Sequence, residues 1–222
     1  MQSNVSLEGL SNFNILTVPG LNGSGPDHWQ SRWDFRMWNC RRVQMGDVAN
    51  PLRSDWIERL DRALRSERRP VLLAGHSLGC LAIARWAADR WSPVFQDVVA
   101  GALLVAPPDV ERVGAPETIR TFSPAPRAPL PFPSLLVASR NDPFASFETS
   151  ARLAQMWNSD LVDVGDAGHI NAQSGLREWS EGLRLLASLG QRAAALLNSS
   201  PWSRKEAAHA VPPPPLRLSD PI

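Results

Sequence analysis

Short apolar segments alternate with longer amphipathic segments along most of this chain. Six runs rich in Val, Leu, Ile and Ala are bounded by Gly, Pro, Asp or Asn, at 14–18, 41–45, 71–74, 98–105, 134–138 and 161–164. Continuous apolar runs of this length are typical of strands that are buried on both faces. Between them, apolar residues recur every three or four positions, which predicts helices around 56–64, 81–88, 147–157 and 176–189.

This alternation favours one architecture, because parallel neighbouring strands need helical crossovers that cover the sheet. We predict an α/β fold with a doubly wound, mainly parallel sheet of about six strands flanked by helices. The 222 residues suit one domain. We expect it to span residues 1–190, without a large lid domain, although the Pro-rich segment 107–133 predicts an irregular loop. Residues 191–222 are rich in Ala, Ser and Pro and predict a disordered tail.

The balance of charge excludes some partners. Lys and Arg total 23 against 22 Asp and Glu, so the formal charge of +1 provides no field that would attract nucleic acid or an anionic membrane. No apolar stretch reaches the ~20 residues that span a bilayer, and the first twenty residues lack the pattern of a secretory signal. We therefore expect neither a nucleic-acid nor a membrane partner, and a cytoplasmic location. Cys40 and Cys80 lack the spacing of a zinc or redox site, so no such site is expected.

Residues 75–79 read Gly-His-Ser-Leu-Gly and stand between the third predicted strand and the next helix. This order is that of a nucleophile elbow, in which Ser is exposed on a strained turn and a side chain at either flanking Gly would clash. The motif alone is a weak signal, and the flanking strand and helix strengthen it. We predict that Ser77 is a nucleophile. His76 should point away from its hydroxyl and pack inside the protein.

A serine nucleophile needs a histidine base, and in this fold the base follows an orienting carboxylate along the chain. Among the four histidines, His169 meets this order, because it lies on a Gly-containing loop directly after the last predicted strand. His28 precedes Ser77, and His209 lies near the end of the chain. We therefore predict His169 as the base.

The carboxylate is predicted to be Asp142. It follows the strand 134–138 and precedes Pro143, in a turn that would fix its direction. Carboxyl ends of parallel strands are where reacting groups collect in open α/β sheets. Asp109, after an earlier strand, and Asp166, close to the base in sequence, are the alternatives.

Acyl transfer also requires two N–H donors directed at the developing oxyanion. Leu78, the residue after the nucleophile, provides the first, and we assign the second to Leu21 in the Gly-rich loop after the first strand. Phosphate binding is the alternative for this loop, yet neither G-x-x-x-x-G-K-[ST] nor G-x-G-x-x-G fits it. A nucleotide site is therefore not predicted.

Four segments, at 19–30, 75–79, 139–143 and 168–171, resemble the small serine hydrolases related to retinoblastoma-binding protein 9. The similarity covers roughly residues 13–189, and its most specific part is Asp27-His28-Trp29-Gln30. The resemblance implies a compact α/β-hydrolase without a large lid or cofactor, with a triad of Ser77, Asp142 and His169. That family is named for binding a pocket protein through an LxCxE peptide. The nearest stretch here, 78–82, lacks the Glu, so this partner is not expected.

These residues predict a serine hydrolase that cleaves a small ester, thioester or amide of a small-molecule acyl substrate through an acyl-enzyme. Acyl transfer to another acceptor by the same triad, or binding without catalysis on a hydrolase fold, stay open as alternatives. Aromatic residues could line an acyl pocket, although core packing is the ordinary role of each: Trp29, Trp33, Phe132, Phe144 and Phe147. The sequence predicts neither the natural substrate nor the oligomeric state.

Overall fold

The computed structural model describes residues 8–199 and contains a six-stranded sheet with the order β2-β1-β3-β4-β5-β6. All five pairs of neighbouring strands are parallel. The strands are β1 Asn14–Val18, β2 Cys40–Arg42, β3 Val71–His76, β4 Val99–Val105, β5 Ser134–Ala138 and β6 Asp160–Asp163. The structure thereby confirms the predicted fold class.

The central strands are buried because helices cover both faces of the sheet. Every residue of β3, β4 and β5 is buried, whereas the edge strands β2 and β6 carry exposed residues. The helices are α1 Trp29–Arg36, α2 Arg53–Arg65, α3 Leu78–Arg90, α4 Glu117–Arg120, α5 Phe147–Trp157 and α6 Ser180–Ser199. Side chains of α2, α3 and α5 pack in one core, and those of α1 and α6 pack in the other. Burial of apolar surface in these two cores is the main force that stabilises the layers.

Helix α1 was not among the sequence predictions. Its buried residues are Trp29, Gln30 and Trp33, and its other residues are polar except for the exposed Phe35. Such a short apolar face leaves little periodicity to detect. The segment 107–133 was predicted as irregular, and within it the chain forms the single short helix α4.

The domain extends beyond residue 190, where its end was predicted from the sequence. Helix α6 continues through Gly190 to Ser199, so the predicted boundary at residue 190 falls inside a helix. A Cβ at Gly190 would lie 3.2 Å from Leu72 and 3.3 Å from Phe13, which shows how closely the helix approaches the sheet there. Ala193, one turn further, is 2 % exposed and continues this contact. The other residues of the predicted tail, 200–222, lie outside the described residues. Within 8–199, no helix has both the length and the apolar character needed to cross a membrane.

The topology brings two loops together at one edge of the sheet. After β1 the chain moves outward to β2, and β3 then pairs with the other side of β1. The carboxyl ends of β1 and β3 are adjacent, with Val18 in register with Gly75. Because crevices form where the strand order reverses in this way, the loops after β1 and β3 are placed to build a site.

Candidate active site

Ser77 occupies a strained turn between β3 and α3, with φ 53° and ψ −124°. This backbone conformation is rare for a residue other than Gly and is typical of functional sites. The two glycines of the motif make the turn possible. A Cβ at Gly79 would lie 2.2 Å from the carbonyl oxygen of Val18, and one at Gly75 would lie 2.7 Å from the end of the Ile83 side chain. The predicted clashes with the neighbouring strand and helix are therefore present.

The structure brings Ser77, His169 and Asp142 into one hydrogen-bonded chain. Nε2 of His169 lies 2.9 Å from Oγ of Ser77, and Nδ1 lies 2.9 and 3.0 Å from the two carboxylate oxygens of Asp142. The side chains of His169 and Asp142 are 9 % and 4 % exposed. Since a carboxylate can only accept at Nδ1, the neutral ring carries its proton there, and Nε2 is left free to accept the Ser77 proton.

The carboxylate of Asp142 is oriented by its own loop. Oδ1 accepts the N–H of Phe144 at 2.9 Å, and the Phe144 ring contacts His169. The two alternatives named from the sequence lie elsewhere. Asp109 accepts the N–H of Glu111 and lines a separate cleft, and Asp166 is exposed. Among the three carboxylates considered, only Asp142 contacts His169.

The loop that carries His169 is fixed by groups that sequence reasoning missed. The N–H of Gly168 donates to Oδ1 of Asn141 at 2.7 Å, and the N–H of Ala167 donates to Oγ of Ser139 at 2.9 Å. From the other side, Nε1 of Trp29 donates to the carbonyl of Ile170 at 2.9 Å. The only signal of these roles was that Ser139 and Asn141 adjoin Asp142, and Trp29 lies in the family-specific segment.

Two N–H groups are available beside Ser77 for an oxyanion. Leu78 opens α3, and the first N–H groups of a helix have no partner within it and lie at the positive end of its dipole. In the loop after β1, Asn22 donates its N–H to Val48 and Gly23 donates to Gly20. Among residues 8–199, no hydrogen bond occupies the N–H of Leu21. Both predicted donors, Leu21 and Leu78, line the same cavity as Ser77.

Close contact between the two loops depends on Gly20. A Cβ at this position would lie 2.7 Å from Cβ of Ser77 and 3.2 Å from its Oγ. A side chain at Gly20 would therefore require Ser77 to move. The absence of a side chain lets the backbone of the first loop approach Ser77 closely.

Two further histidines, His28 and His76, lie beside the triad and are buried. Burial is the main reason that the pKa of His28 is lowered to about 4, with Arg42 and His169 contributing. Burial also holds the pKa of His76 well below its usual value, with further lowering by His28 and His169. Both rings are therefore neutral at pH 7. Nδ1 of His28 caps α1 by accepting the N–H of Gln30, and its buried Nε2 has no partner among residues 8–199.

A cavity of about 350 Å³ opens beside Ser77 and His169. Apolar residues form one part of its wall: Leu21, Leu78, Pro108, Pro116, Ile119 and Phe144. Amide side chains of Asn22, Asn171 and Gln173 form another part, and no Asp, Glu, Lys or Arg of the described chain lines it. Of the five aromatic residues considered from the sequence, Phe144 alone lines this cavity.

Cys40 and Cys80 are buried and unpaired, and burial raises the pKa of each thiol. A thiol held protonated in this way is a poor nucleophile. No group of three or more His, Cys, Asp or Glu within residues 8–199 is arranged to hold a metal ion.

Comparison with known proteins agrees with this fold. The model of the serine hydrolase family matches residues 15–188. A crystal structure described as a YdeN-like hydrolase, from Pectobacterium atrosepticum, is 34 % identical and has a TM-score of 0.73, covering 84 % of this chain and 95 % of that one. The ydeN gene product of Bacillus subtilis is 21 % identical with a TM-score of 0.66, covering 80 % and 98 %.

A third structure, Est1E from Butyrivibrio proteoclasticus, shows likeness of fold alone. It is 13 % identical, has a TM-score of 0.60, and covers 82 % of this chain and 88 % of that one. A search of curated proteins gave no match. The fold and the site define an α/β hydrolase. Because the family model matches most of its length, the chain belongs to the serine hydrolase family.

Proposed function

We propose that the protein hydrolyses a small ester, thioester or amide through an acyl-enzyme on Ser77. The observation that carries this proposal is the continuous hydrogen-bonded chain from Ser77 through His169 to Asp142, which faces a cavity of about 350 Å³. A cavity of this size lies at the small end of ligand sites, so a compact substrate fits. The same resemblance that predicted the triad leads us to group the chain with relatives of retinoblastoma-binding protein 9.

In the first half of the reaction, Nε2 of His169 takes the proton of the Ser77 hydroxyl while Oγ attacks the acyl carbon. Asp142 holds the Nδ1–H tautomer and stabilises the imidazolium that forms. The new oxyanion is placed to accept from the N–H groups of Leu21 and Leu78, near the positive end of α3. His169 then gives its proton to the leaving alcohol, thiol or amine, which departs and leaves the acyl group on Ser77.

In the second half, water replaces the leaving group. His169 takes a proton from the water while the water oxygen attacks the acyl carbon. His169 then returns that proton to Oγ of Ser77 as the carboxylic acid product leaves. An alcohol or amine in place of water would give acyl transfer instead. Adding such an acceptor and analysing the products separates the two reactions. A transferase would form the new ester or amide in preference to the free acid.

The lining of the cavity favours a substrate with an apolar acyl group. Leu21, Ile119 and Phe144 present apolar surface beside Ser77, and Asn22 and Gln173 offer neutral hydrogen-bonding groups. Burying an unpaired charge against such a wall is costly, so uncharged acyl groups should be preferred. Short alkyl and aryl esters are the substrates to test first.

The decisive experiment follows covalent labelling and ester hydrolysis together. Wild-type protein should react with a fluorophosphonate probe and gain one probe mass on a Ser77 peptide, and it should hydrolyse short aryl esters. Ser77→Ala should lose both properties. The matched control is Ser92→Ala, whose side chain makes no capping bond and lies beyond the far end of α3, about 20 Å from Ser77 by helix length. Labelling or hydrolysis that survives in Ser77→Ala would refute the proposal.

A further inference from the structure

His76, the residue before the nucleophile, makes one polar contact to the loop of the base. It ends β3, it is buried, and its Nε2 lies 2.9 Å from the main-chain carbonyl oxygen of His169. The two residues are 93 positions apart in sequence, so this contact joins the central strand to the loop after β6. Packing alone, the role expected from the sequence, does not require such a bond.

The direction of this hydrogen bond follows from its chemistry. A carbonyl oxygen can only accept, so Nε2 of His76 must carry the proton. Burial disfavours a charge on the ring, as do the neighbouring histidines, so Nδ1 carries no second proton. The ring centroid of His76 lies 4.6 Å from that of His28 and 4.9 Å from that of His169. Since His169 must become an imidazolium during the reaction, a neutral neighbour avoids the repulsion that a charged one would cause.

The carbonyl of His169 that accepts this hydrogen bond lies between two residues with unusual backbone conformations. The residues on either side of His169 have positive φ angles, 58° at Gly168 and 47° at Ile170. Asn141 accepts the N–H of Gly168, and Trp29 donates to the carbonyl of Ile170. His76 contacts the carbonyl of the base itself. Displacing a catalytic group by about 1 Å can cost on the order of 100-fold in rate.

We propose that His76 is a positioning residue that holds the base His169 through its main-chain carbonyl, acting as a neutral Nε2–H donor. This proposal rests on the proposed function, in which His169 is the base. It assigns to the second residue of the Gly-His-Ser-Leu-Gly motif a specific polar role, and it explains why a histidine can stand beside the nucleophile without competing as its base.

Three substitutions separate this role from packing. In His76→Gln the amide nitrogen can occupy the position of Nε2, whereas in His76→Asn the amide reaches only the position of Nδ1. His76→Leu fills space without a donor. We expect His76→Gln to keep kcat for a short aryl ester within about 5-fold of wild type. His76→Asn and His76→Leu should lose about 10- to 100-fold in kcat, with KM within about 2-fold and a matching loss in the rate of fluorophosphonate labelling.

Two results would overturn the proposal. One is an equal loss of kcat in His76→Gln and His76→Asn, and the other is wild-type kcat in His76→Leu. Thermal unfolding of each variant is measured in parallel, because a purely structural role predicts that activity follows the folded fraction. If Ser77 of the wild type is not labelled at all, the proposed function fails. Normal labelling with equal loss in the two amide variants refutes only the role of His76.

A second measurement does not depend on whether the damaging variants fold. Wild-type protein carrying ¹⁵N-labelled histidine is examined by NMR from pH 5 to 9, and the His76 signals are assigned by their loss in His76→Gln. We expect a neutral ring protonated at Nε2 at pH 7 and above, and resistance to protonation as the pH falls below 7. A ring protonated at Nδ1, or an imidazolium at pH 7, would contradict the donor assignment.

Discussion

Phe144 stands edge-on against the imidazole of His169, with ring centroids 4.5 Å apart and planes at 66°. The N–H of the same residue donates to Asp142, and its ring lines the cavity beside Ser77. Phe144 thus contacts His169 and Asp142, the proposed base and its carboxylate, and also lines the proposed substrate site. Phe144 is 38 % exposed, whereas the side chain of Asp142 beside it is 4 % exposed.

Replacement of this ring should weaken catalysis more than stability. Phe144→Ala keeps the main-chain bond to Asp142 but removes the apolar cover of His169, so water gains access to the pair and the cavity widens. We expect kcat/KM for a short ester to fall about 10-fold, with a free energy of unfolding within about 1 kcal/mol of wild type. Phe144→Leu, which keeps an apolar cover, should lose no more than about 3-fold. Wild-type activity in Phe144→Ala would show that the ring has no such role.

The role of Asp142 can be tested with the same substitution at Asp166 as the control. Asp142→Asn no longer favours the Nδ1–H tautomer of His169, so kcat should fall by about 10⁴-fold while the fold is retained. Asp166 is exposed and three residues before the base, and Asp166→Asn should have wild-type kinetics. Steady-state kinetics and thermal unfolding of both variants provide the comparison. Similar activity in the two variants would argue against Asp142 as the orienting group.

The two glycines of the elbow should differ in their tolerance of a methyl group. At Gly79 an added Cβ would meet backbone, 2.2 Å from the Val18 carbonyl oxygen, and backbone cannot move away cheaply. At Gly75 the nearest atom, at 2.7 Å, is the mobile end of Ile83. We expect Gly79→Ala to lose about 3 kcal/mol of folding free energy or more, and Gly75→Ala about 1 kcal/mol. Urea denaturation gives both values, and equal losses would contradict this reasoning.

Much of the fold could be predicted because the central strands are apolar throughout. The bounds of β1 and β5 agree with the sequence prediction, since Gly or Pro and polar residues limit both runs. The second run was predicted at 41–45, whereas β2 spans Cys40–Arg42. Val43 and Met45 are buried, yet they pack in the core beyond the end of the strand. An apolar run records burial, and only the register with a neighbour determines where the strand ends.

The segment from Asp27 to Gln30 shows what sequence reasoning lacked. It was the most specific part of the resemblance, although the sequence offered no physical reason for these four residues. In the structure, His28 caps α1, Trp29 donates to the loop of the base, and Gln30 donates to the carbonyls of Val18 and Ala74. Gln30 thus joins the two strand ends from which the site is built. The carbonyls that accept from Trp29 and Gln30 are 12 to 141 positions away, so no local pattern could reveal them.

His28 should make the stability of the protein depend on pH in a defined direction. Its pKa is about 4 in the folded protein, against about 6.5 when unfolded, because burial and nearby positive groups disfavour its charge. Between these values the unfolded chain binds the extra proton, so stability is complete above pH 6.5 and falls as the pH drops toward 4. His76 acts in the same direction. At pH 4.5 the loss due to His28 should be about 2–3 kcal/mol.

The test of this dependence replaces His28 while keeping its cap. In His28→Asn, the side-chain oxygen can still accept the N–H of Gln30, and Asn is a favoured residue at this position. The free energy of unfolding in urea is measured between pH 4.5 and 7.5 for both proteins. The variant should lose about 2–3 kcal/mol less than the wild type over this range, whatever its stability at neutral pH. Parallel pH profiles would mean that His28 is not the group whose protonation the folded state resists.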